Sequence, residues 1–134
     1  MAKVLFFDIE TAPNLSYVWG QWQQDVIQHD REWYMICFSY KWEHQKKTHV
    51  VSLTDFDLYK KDRENDLEVS KKLWKLFDEA DIVIGHNSDA FDIKKANARF
   101  VYHNLGPTTY YQSVDTLKIA RRFFKFNSNK LGHL

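Results

Sequence analysis

The spacing of apolar residues in the first part of the chain predicts strands that pair within a sheet. Val4 to Ile9 is a short apolar run, which is typical of a buried strand. Trp33 to Trp42 and Lys47 to Leu53 are rich in strand-forming residues, and the polar stretch between them suits a hairpin turn. Residues 12–31 lack a regular period, so we interpret them as a connection that has room for a short helix.

The later part of the chain alternates helical and strand patterns. Asn65 to Ala80 has apolar residues at helical spacing behind a capping signal, and Asp81 to Gly85 is a short buried strand. A second helix follows and runs to about His103. Either Ser88 or Asp89 is expected to cap it.

Three shorter elements complete the predicted order. Ser113 to Thr116 indicates a strand, Leu117 to about Phe124 a helix, and Ser128 the cap of one more helix. Hairpin-length links between the early strands favour antiparallel pairing, whereas the later alternation favours parallel strands with crossover helices. We therefore predict an α/β protein with a mixed sheet, three antiparallel strands followed by parallel strands, flanked by helices.

Composition is that of a folded globular chain. It has 134 residues, of which 44% are hydrophobic and 16% aromatic, enough to form a core. A single cysteine, Cys37, excludes an internal disulfide and a cysteine-rich zinc site. No apolar run approaches the roughly 20 residues of a membrane span, and Val4 to Phe7 is too short for the apolar region of a secretory signal. We expect a cytoplasmic protein with one domain, residues 1–134.

The net charge of +1 conceals two parts of opposite sign. Residues 1–92 carry 11 Lys and Arg against 17 Asp and Glu, a net charge of −6. Residues 93–134 carry 8 Lys and Arg against one acid, Asp115, a net charge of +7. Such asymmetry is typical of a protein that binds nucleic acid or another polyanion, although a solvated lysine-rich helical surface has the same pattern.

Two carboxylates lie at the end of the first predicted strand. Asp8 and Glu10 are two residues apart, so their side chains point to the same face of the strand. Carboxylates beside a buried apolar run are costly unless something neutralises them, and hard oxygen ligands suit Mg²⁺ or Mn²⁺. A divalent metal site and a solvated strand end are both consistent with this pair alone.

The segment Gly85 to Asp92, Gly-His-Asn-Ser-Asp-Ala-Phe-Asp, follows a buried strand and opens a helix. Ligand sites collect at the carboxyl edge of such a sheet. We expect Asp92 to reach back over this edge, Phe91 to anchor the helix in the core, and the side chain of Asn87 to hydrogen-bond within the turn. Alternatively, Asp92 is an ordinary acid at a helix N-terminus, where the helix dipole favours negative charge.

Together, three segments resemble one family of nucleases. Phe7 to Thr11 (FDIET) and Gly85 to Asp92 (GHNSDAFD) resemble the first two motifs of the DEDD 3′–5′ exonucleases, the DnaQ-like members of the ribonuclease H-like superfamily. Val114 to Leu117, followed by Ala120-Arg121 and by Ser128 to Leu131, resembles the segment between that family's second and third motifs. The resemblance extends to the proofreading exonuclease domains of family B DNA polymerases.

The resemblance implies a role for each matching acid. Asp8, Glu10 and Asp92 would hold two Mg²⁺ or Mn²⁺ ions, with Asp89 as a competing candidate for the position of Asp92. These ions would activate a water for attack on the terminal phosphodiester and stabilise the leaving 3′ oxygen. Thr11 would contact the terminal nucleotide.

Other residues are expected to support the acids or bind the substrate. Asn87 and Phe91 would hold Asp92 beside the substrate, and Asp115 would have a supporting or structural role. Basic residues on the helices that follow the second motif would contact phosphates, among them Lys95, Arg99 and Arg121.

The sequence departs from the family pattern after Asp115. The family's third motif, either Tyr-x-x-x-Asp or a His followed five residues later by Asp, supplies a fourth carboxylate. No Asp or Glu follows Asp115 here, and His133 is the second residue from the end. We expect a chain truncated before this motif, and the alternatives are a site completed by a partner chain and a weak catalyst.

The leading hypothesis is therefore a metal-dependent 3′–5′ exonuclease that hydrolyses terminal phosphodiesters of single-stranded or frayed DNA, with RNA also open. It would act alone, with a polymerase or with a partner chain, and no membrane partner is expected. A non-catalytic nucleic-acid-binding scaffold and an interaction module completed by another chain are the alternatives. Tyr17, Trp19 and Trp22, after the first motif, either stack on unpaired bases or pack on the sheet.

Overall fold

The structure, a computed structural model, describes residues 1–22 and 25–134. Within these residues seven strands, β1 to β7 in chain order, span Val4–Thr11, Leu15–Tyr17, Gln28–Arg31, Met35–Trp42, His49–Ser52, Ile82–Gly85 and Gln112–Asp115. The same part of the chain contains four α-helices, α1 to α4, which span Leu58–Lys61, Leu67–Glu79, Asp92–Tyr102 and Thr116–Phe123. A short 3₁₀ helix covers Leu53–Asp55. No helix of the described residues is long and apolar enough to cross a bilayer.

Five strands form one mixed sheet in the order β5–β4–β1–β6–β7. β5, β4 and β1 pair antiparallel, whereas β1, β6 and β7 pair parallel. A short turn joins β4 to β5, but the connection from β1 to β4 contains β2 and β3. Helix α3 makes the crossover between β6 and β7. The predicted mixed α/β sheet flanked by helices is confirmed.

Helices α2 and α3 and the central strand β1 share the core on one face of the sheet. Leu5, Phe7 and Ile9 alternate along β1 and are almost fully buried, as the period of two requires. Phe77 of α2 packs edge-to-face on Phe7, with ring centroids 4.9 Å apart, and on Phe100 of α3, with centroids 5.9 Å apart. This packing sets the position of α3 against β1, the two elements that carry the candidate acids.

Two predicted elements differ from the structure. The described residues between 12 and 31 contain no helix, since β2 and β3 pair there as an antiparallel hairpin. Short strands that are exposed on both faces leave no alternation in the sequence. Ser128 begins no helix among the described residues: its hydroxyl accepts a hydrogen bond from the Lys130 N–H at 3.3 Å, and a turn follows.

Candidate functional site

Asp8 and Glu10 lie side by side on the open face of β1. They alternate with the buried residues of the same strand, and both are exposed. On the neighbouring strand β4, Ser39 is the register partner of Asp8, and Cys37 is the partner of Glu10. Burial raises the pKa of the Cys37 thiol, and the negative charges of Glu10 and Asp8 raise it further. The predicted common face of the two acids is present, and it is negatively charged.

Asp92 approaches this pair from α3 through a gap at the edge of the sheet. The pairing of β1 with β6 ends at Phe6 and Ile84, so the following N–H groups of β1 on that side have no strand partner. Asp92 Oδ2 accepts a hydrogen bond from the Ile9 N–H at 3.0 Å, and Asp92 is only 4% exposed. A buried backbone donor is satisfied in this way, and a carboxylate is fixed at the carboxyl edge next to Asp8.

The environment of Asp92 disfavours its charged form. Burial, together with the nearby charge of Asp8, raises the pKa of Asp92 to about 6, although the Ile9 N–H opposes this rise. Two neighbouring carboxylates of like charge, one of them buried, form an arrangement that a proton or a cation relieves.

A tight turn between β6 and α3 places Asp92. A Cβ added at Gly85 would lie 2.5 Å from Ser88 Cβ, so this close approach requires glycine. Asn87 has a φ of 59°, a left-handed conformation that Asn tolerates better than most residues. The Asn87 carbonyl accepts a hydrogen bond from the Phe91 N–H at 3.1 Å, which closes the turn through the main chain. The expected hydrogen bond from the Asn87 side chain is absent among the described residues. Helix α3 therefore begins at Asp92, later than the predicted caps.

Asp115 holds this turn to the neighbouring strand. It ends β7 and is 4% exposed. Its carboxylate accepts hydrogen bonds from the N–H groups of Asn87 at 2.8 Å, Asp89 at 3.2 Å and Leu117 at 2.9 Å. The last of these caps α4. Of the two predicted roles for Asp115, the hydrogen bonds show a structural one that supports the Asp92 turn.

Asp89, the competing candidate for a metal ligand, is engaged elsewhere. Lys118 Nζ lies 2.6 Å from its carboxylate, and the Ser113 hydroxyl donates to it. These two contacts lower the pKa of Asp89. Asp89 is thus a neutralised acid beside β7, whereas Asp92 is the acid that meets Asp8.

Carboxylate oxygens are the donors that Mg²⁺ and Mn²⁺ prefer, and in this respect Asp8, Glu10 and Asp92 suit the expected ions. The placement of these three acids meets only part of what a metal site requires. Asp8 and Asp92 are brought together, but no group of three or more His, Cys, Asp or Glu side chains in residues 1–22 and 25–134 is placed to hold a metal ion.

The expected phosphate contact by Arg99 is corrected by the structure. Its guanidinium is 7% exposed and donates to both carboxylate oxygens of Asp66, with distances of 2.7 and 2.6 Å. His103 Nε2 donates to the same carboxylate at 2.6 Å, and so does the Met35 N–H at 2.8 Å. A buried guanidinium whose Nε and Nη2 groups are both bound to a carboxylate is not available to a phosphate. Sequence reasoning missed Asp66, for which a capping position is the only local signal.

Lys95 and Phe91 have different neighbours from those expected. Lys95 Nζ lies 3.7 Å from the centre of the Trp33 ring, and partial burial lowers its pKa. Phe91 is 40% exposed, so it does not anchor α3 in the core. It precedes the helix with φ −121° and ψ −75°, and its side chain is therefore outside the helical phase.

The two remaining candidates lie at the periphery. Thr11 ends β1 and is partly buried, directly after Glu10. Arg121 is exposed on α4. Their expected contacts with a nucleotide and a phosphate stay predictions.

No family model and no curated protein matches the sequence. In structure, the chain is similar to the family B DNA polymerase from the hyperthermophilic archaeon Pyrobaculum calidifontis, with a TM-score of 0.61 and 17% sequence identity. The match covers 92% of this chain and 16% of the polymerase chain, so this chain spans a small part of that protein's length. The likeness concerns the fold alone: the strand order is that of a mixed α/β sheet, and it is consistent with a ribonuclease H-like fold.

Proposed function

We propose that this chain is a nuclease domain that removes nucleotides from the 3′ end of single-stranded or frayed DNA, with the help of Mg²⁺ or Mn²⁺. The observation that carries the proposal is the meeting of Asp8 from β1 with the buried Asp92 from α3 at the carboxyl edge of the sheet. The resemblance of FDIET and GHNSDAFD to exonuclease motifs supports the same two acids. The likeness in fold to a family B DNA polymerase is consistent with it.

The chain's own residues would contribute to this site in three ways. The Ile9 N–H and the core contacts of α3 hold the Asp92 carboxylate in place before any ligand arrives. Glu10 would add a third carboxylate from the open face of β1, and Thr11 would contact the terminal nucleotide. A divalent cation bound by these acids would supply Lewis acidity at the scissile phosphate.

Hydrolysis of an oligonucleotide tests the proposal. With a 5′-fluorescein single strand and Mg²⁺ or Mn²⁺, we expect products that shorten stepwise from the 3′ end. Asp8→Asn and Asp92→Asn should each remove this activity. Asp89→Asn is the matched control, because Asp89 lies in the same turn but is neutralised by Lys118, and it should keep most of the activity. Equal loss in all three variants, or cleavage of an oligonucleotide with a blocked 3′ end, would contradict the assignment.

A second candidate is a nucleic-acid-binding domain without catalysis. It is favoured by one observation: no three acids in the described residues are grouped closely enough to hold a metal ion. This candidate predicts binding of the same oligonucleotide without shortening at any Mg²⁺ or Mn²⁺ concentration, and no change in binding when Asp8 is replaced by Asn.

A further inference from the structure

The hairpin formed by β2 and β3 carries large aromatic side chains that are exposed to solvent, at the end of β2 and in the loop that follows it. Trp19 is 85% exposed, Trp22 is 81% exposed and Tyr17 is 60% exposed. Aromatic side chains supply much of the energy of protein cores and interfaces, so a group of them left in solvent indicates a binding surface. The alternative that these rings pack on the main sheet does not hold, because a packed ring would be buried and all three are exposed.

The root of this hairpin is fixed beside the candidate acids. Ala12 N–H donates to the Tyr34 carbonyl at 2.9 Å, and Trp33 N–H donates to Asn14 Oδ1 at 2.8 Å, which closes the root. The Trp33 ring then lies against Lys95 of α3. The root of the hairpin therefore follows the end of β1 directly and lies against α3.

The two elements at the root of the hairpin, β1 and α3, are the ones that supply Asp8 and Asp92. On the first turn of α3, the Lys95 ammonium lies 3.7 Å from the centre of the Trp33 ring at the root of the hairpin, and the neighbouring Lys94 is exposed. An aromatic surface that continues from a basic turn suits a polyanion whose repeating unit also carries a flat ring. Unpaired bases on a phosphodiester backbone have this chemistry, whereas an apolar protein surface would gain nothing from the lysines.

We propose that Trp19 and Trp22 form a stacking platform for the unpaired bases of a single-stranded nucleic acid whose 3′ end lies at Asp8 and Asp92. This inference rests on the proposed function and adds how the bases of the substrate are bound. Stacking on an aromatic side chain is sequence-tolerant because every base has a π face. The platform would therefore select unpaired over paired ends without reading the sequence.

Binding to two matched oligonucleotides tests the platform. Anisotropy of a fluorescein-labelled oligothymidylate is measured in EDTA, so that no hydrolysis occurs, and compared with an oligonucleotide of equal length in which abasic spacers replace the bases. The full chain should bind the oligothymidylate at least tenfold more tightly. Trp19→Ala and Trp22→Ala should each weaken that binding by about tenfold, and the double variant should bind both oligonucleotides equally.

Tyr110→Ala is the matched control. Tyr110 is 91% exposed but precedes β7 at the opposite edge of the sheet, so its removal should change neither affinity. Circular dichroism of each variant checks the fold. Equal binding of both oligonucleotides by the unmodified chain, or full discrimination by the double variant, would overturn the proposal. A dimer in sedimentation that both tryptophan variants abolish would assign the hairpin to a second copy and would also overturn it.

Failure here is distinguishable from failure of the proposed nuclease. Discrimination that needs the tryptophans, in a chain that never shortens DNA, would support the platform and overturn the catalytic assignment. Stepwise shortening with unchanged affinity in the double variant would support catalysis and overturn the platform.

Discussion

At the scale of single residues, the candidate site acid Asp92 makes the free energy of unfolding depend on pH. Its pKa is about 6 in the folded chain, against an ordinary value of 3.8. Between these values the folded chain binds more protons than the unfolded chain, so the free energy of unfolding falls as the pH rises from about 4 to about 6. A shift of about two units corresponds to about 3 kcal/mol at most.

Asp92→Asn should remove this dependence. The amide oxygen still accepts from the Ile9 N–H but carries no charge against Asp8. In EDTA, urea denaturation should show the variant more stable than the parent chain at pH 7 and equal to it near pH 4. Asp89→Asn should instead be less stable than the parent chain at pH 7, because the pKa of Asp89 is lowered and its ion pair with Lys118 stabilises the fold at neutral pH. A parent chain with flat stability over this range would contradict the assigned environment of Asp92.

Metal binding to the same carboxylates has a separate readout. If Asp8 and Asp92 hold a divalent cation, Mg²⁺ or Mn²⁺ should raise the melting temperature of the parent chain at pH 7, since a ligand of the folded state stabilises it. Asp92→Asn should lose most of this gain, and Asp89→Asn should keep it. A gain of equal size in all three proteins would place the ion elsewhere.

Gly85 is a second position where one atom matters. In Gly85→Ala the new Cβ would overlap Ser88 Cβ at 2.5 Å and Ser88 Oγ at 2.8 Å, and Ser88 is fully buried. We expect a loss of about 1–3 kcal/mol in the free energy of unfolding, typical of overpacking. The double variant Gly85→Ala, Ser88→Gly removes the clashing side chain and should recover part of this loss. Additive losses in urea denaturation would show that the two residues are not coupled.

At the scale of elements, Asp66 braces three segments. It is fully buried at the N-terminus of α2, and it binds Arg99 of α3, His103 beyond it and the first N–H of β4. Burial alone would raise the pKa of Asp66, but the contacts with Arg99, Met35 N–H and His103 outweigh burial and hold the pKa below its usual value. The brace fixes the second half of α3, as the Ile9 contact fixes its start.

Asp66→Asn should therefore be strongly destabilising. It leaves the buried Arg99 charge without its partner, and breaking a buried pair in this way costs about 3–5 kcal/mol. Glu64→Gln is the matched control: Glu64 pairs with Arg31 nearby on the surface, and exposed pairs contribute about 1 kcal/mol or less. Urea denaturation of both variants checks this, and similar losses would contradict the importance of the buried brace.

The structure also shows which features sequence patterns can predict. The common face of Asp8 and Glu10 followed from strand alternation, because a period of two fixes the faces within one strand. The burial of Arg99 could not be foreseen, since its partner Asp66 is 33 residues away and such a pair leaves no local pattern. Phe91 was misplaced because the helix begins at Asp92, after the predicted caps, which leaves the Phe91 side chain outside the helical phase.

At the scale of the whole molecule, the opposite charges of residues 1–92 and 93–134 partly neutralise each other in ion pairs, one buried and one at the surface. Arg99 is paired with Asp66, and Lys118 with Asp89, so neither adds a free charge to the surface. Arg121 and Arg122 are exposed on α4. The basic part of the chain therefore offers fewer phosphate contacts than its net charge of +7 indicates.

The salt dependence of binding measures how many contacts remain. Each phosphate neutralised on a single strand contributes a slope of about −0.7 in log affinity against log salt concentration. Arg121→Ala should reduce the slope by about that amount and weaken binding equally for every sequence, because a phosphate contact reads no base. Lys3→Ala is the control, since Lys3 pairs with Glu79 before β1 begins, at the opposite edge of the sheet. It should leave the slope unchanged. An unchanged slope in Arg121→Ala would mean that α4 does not contact the nucleic-acid backbone. An equal reduction in both variants would mean that the nucleic acid is attracted by the overall charge of the protein and not by a contact with Arg121.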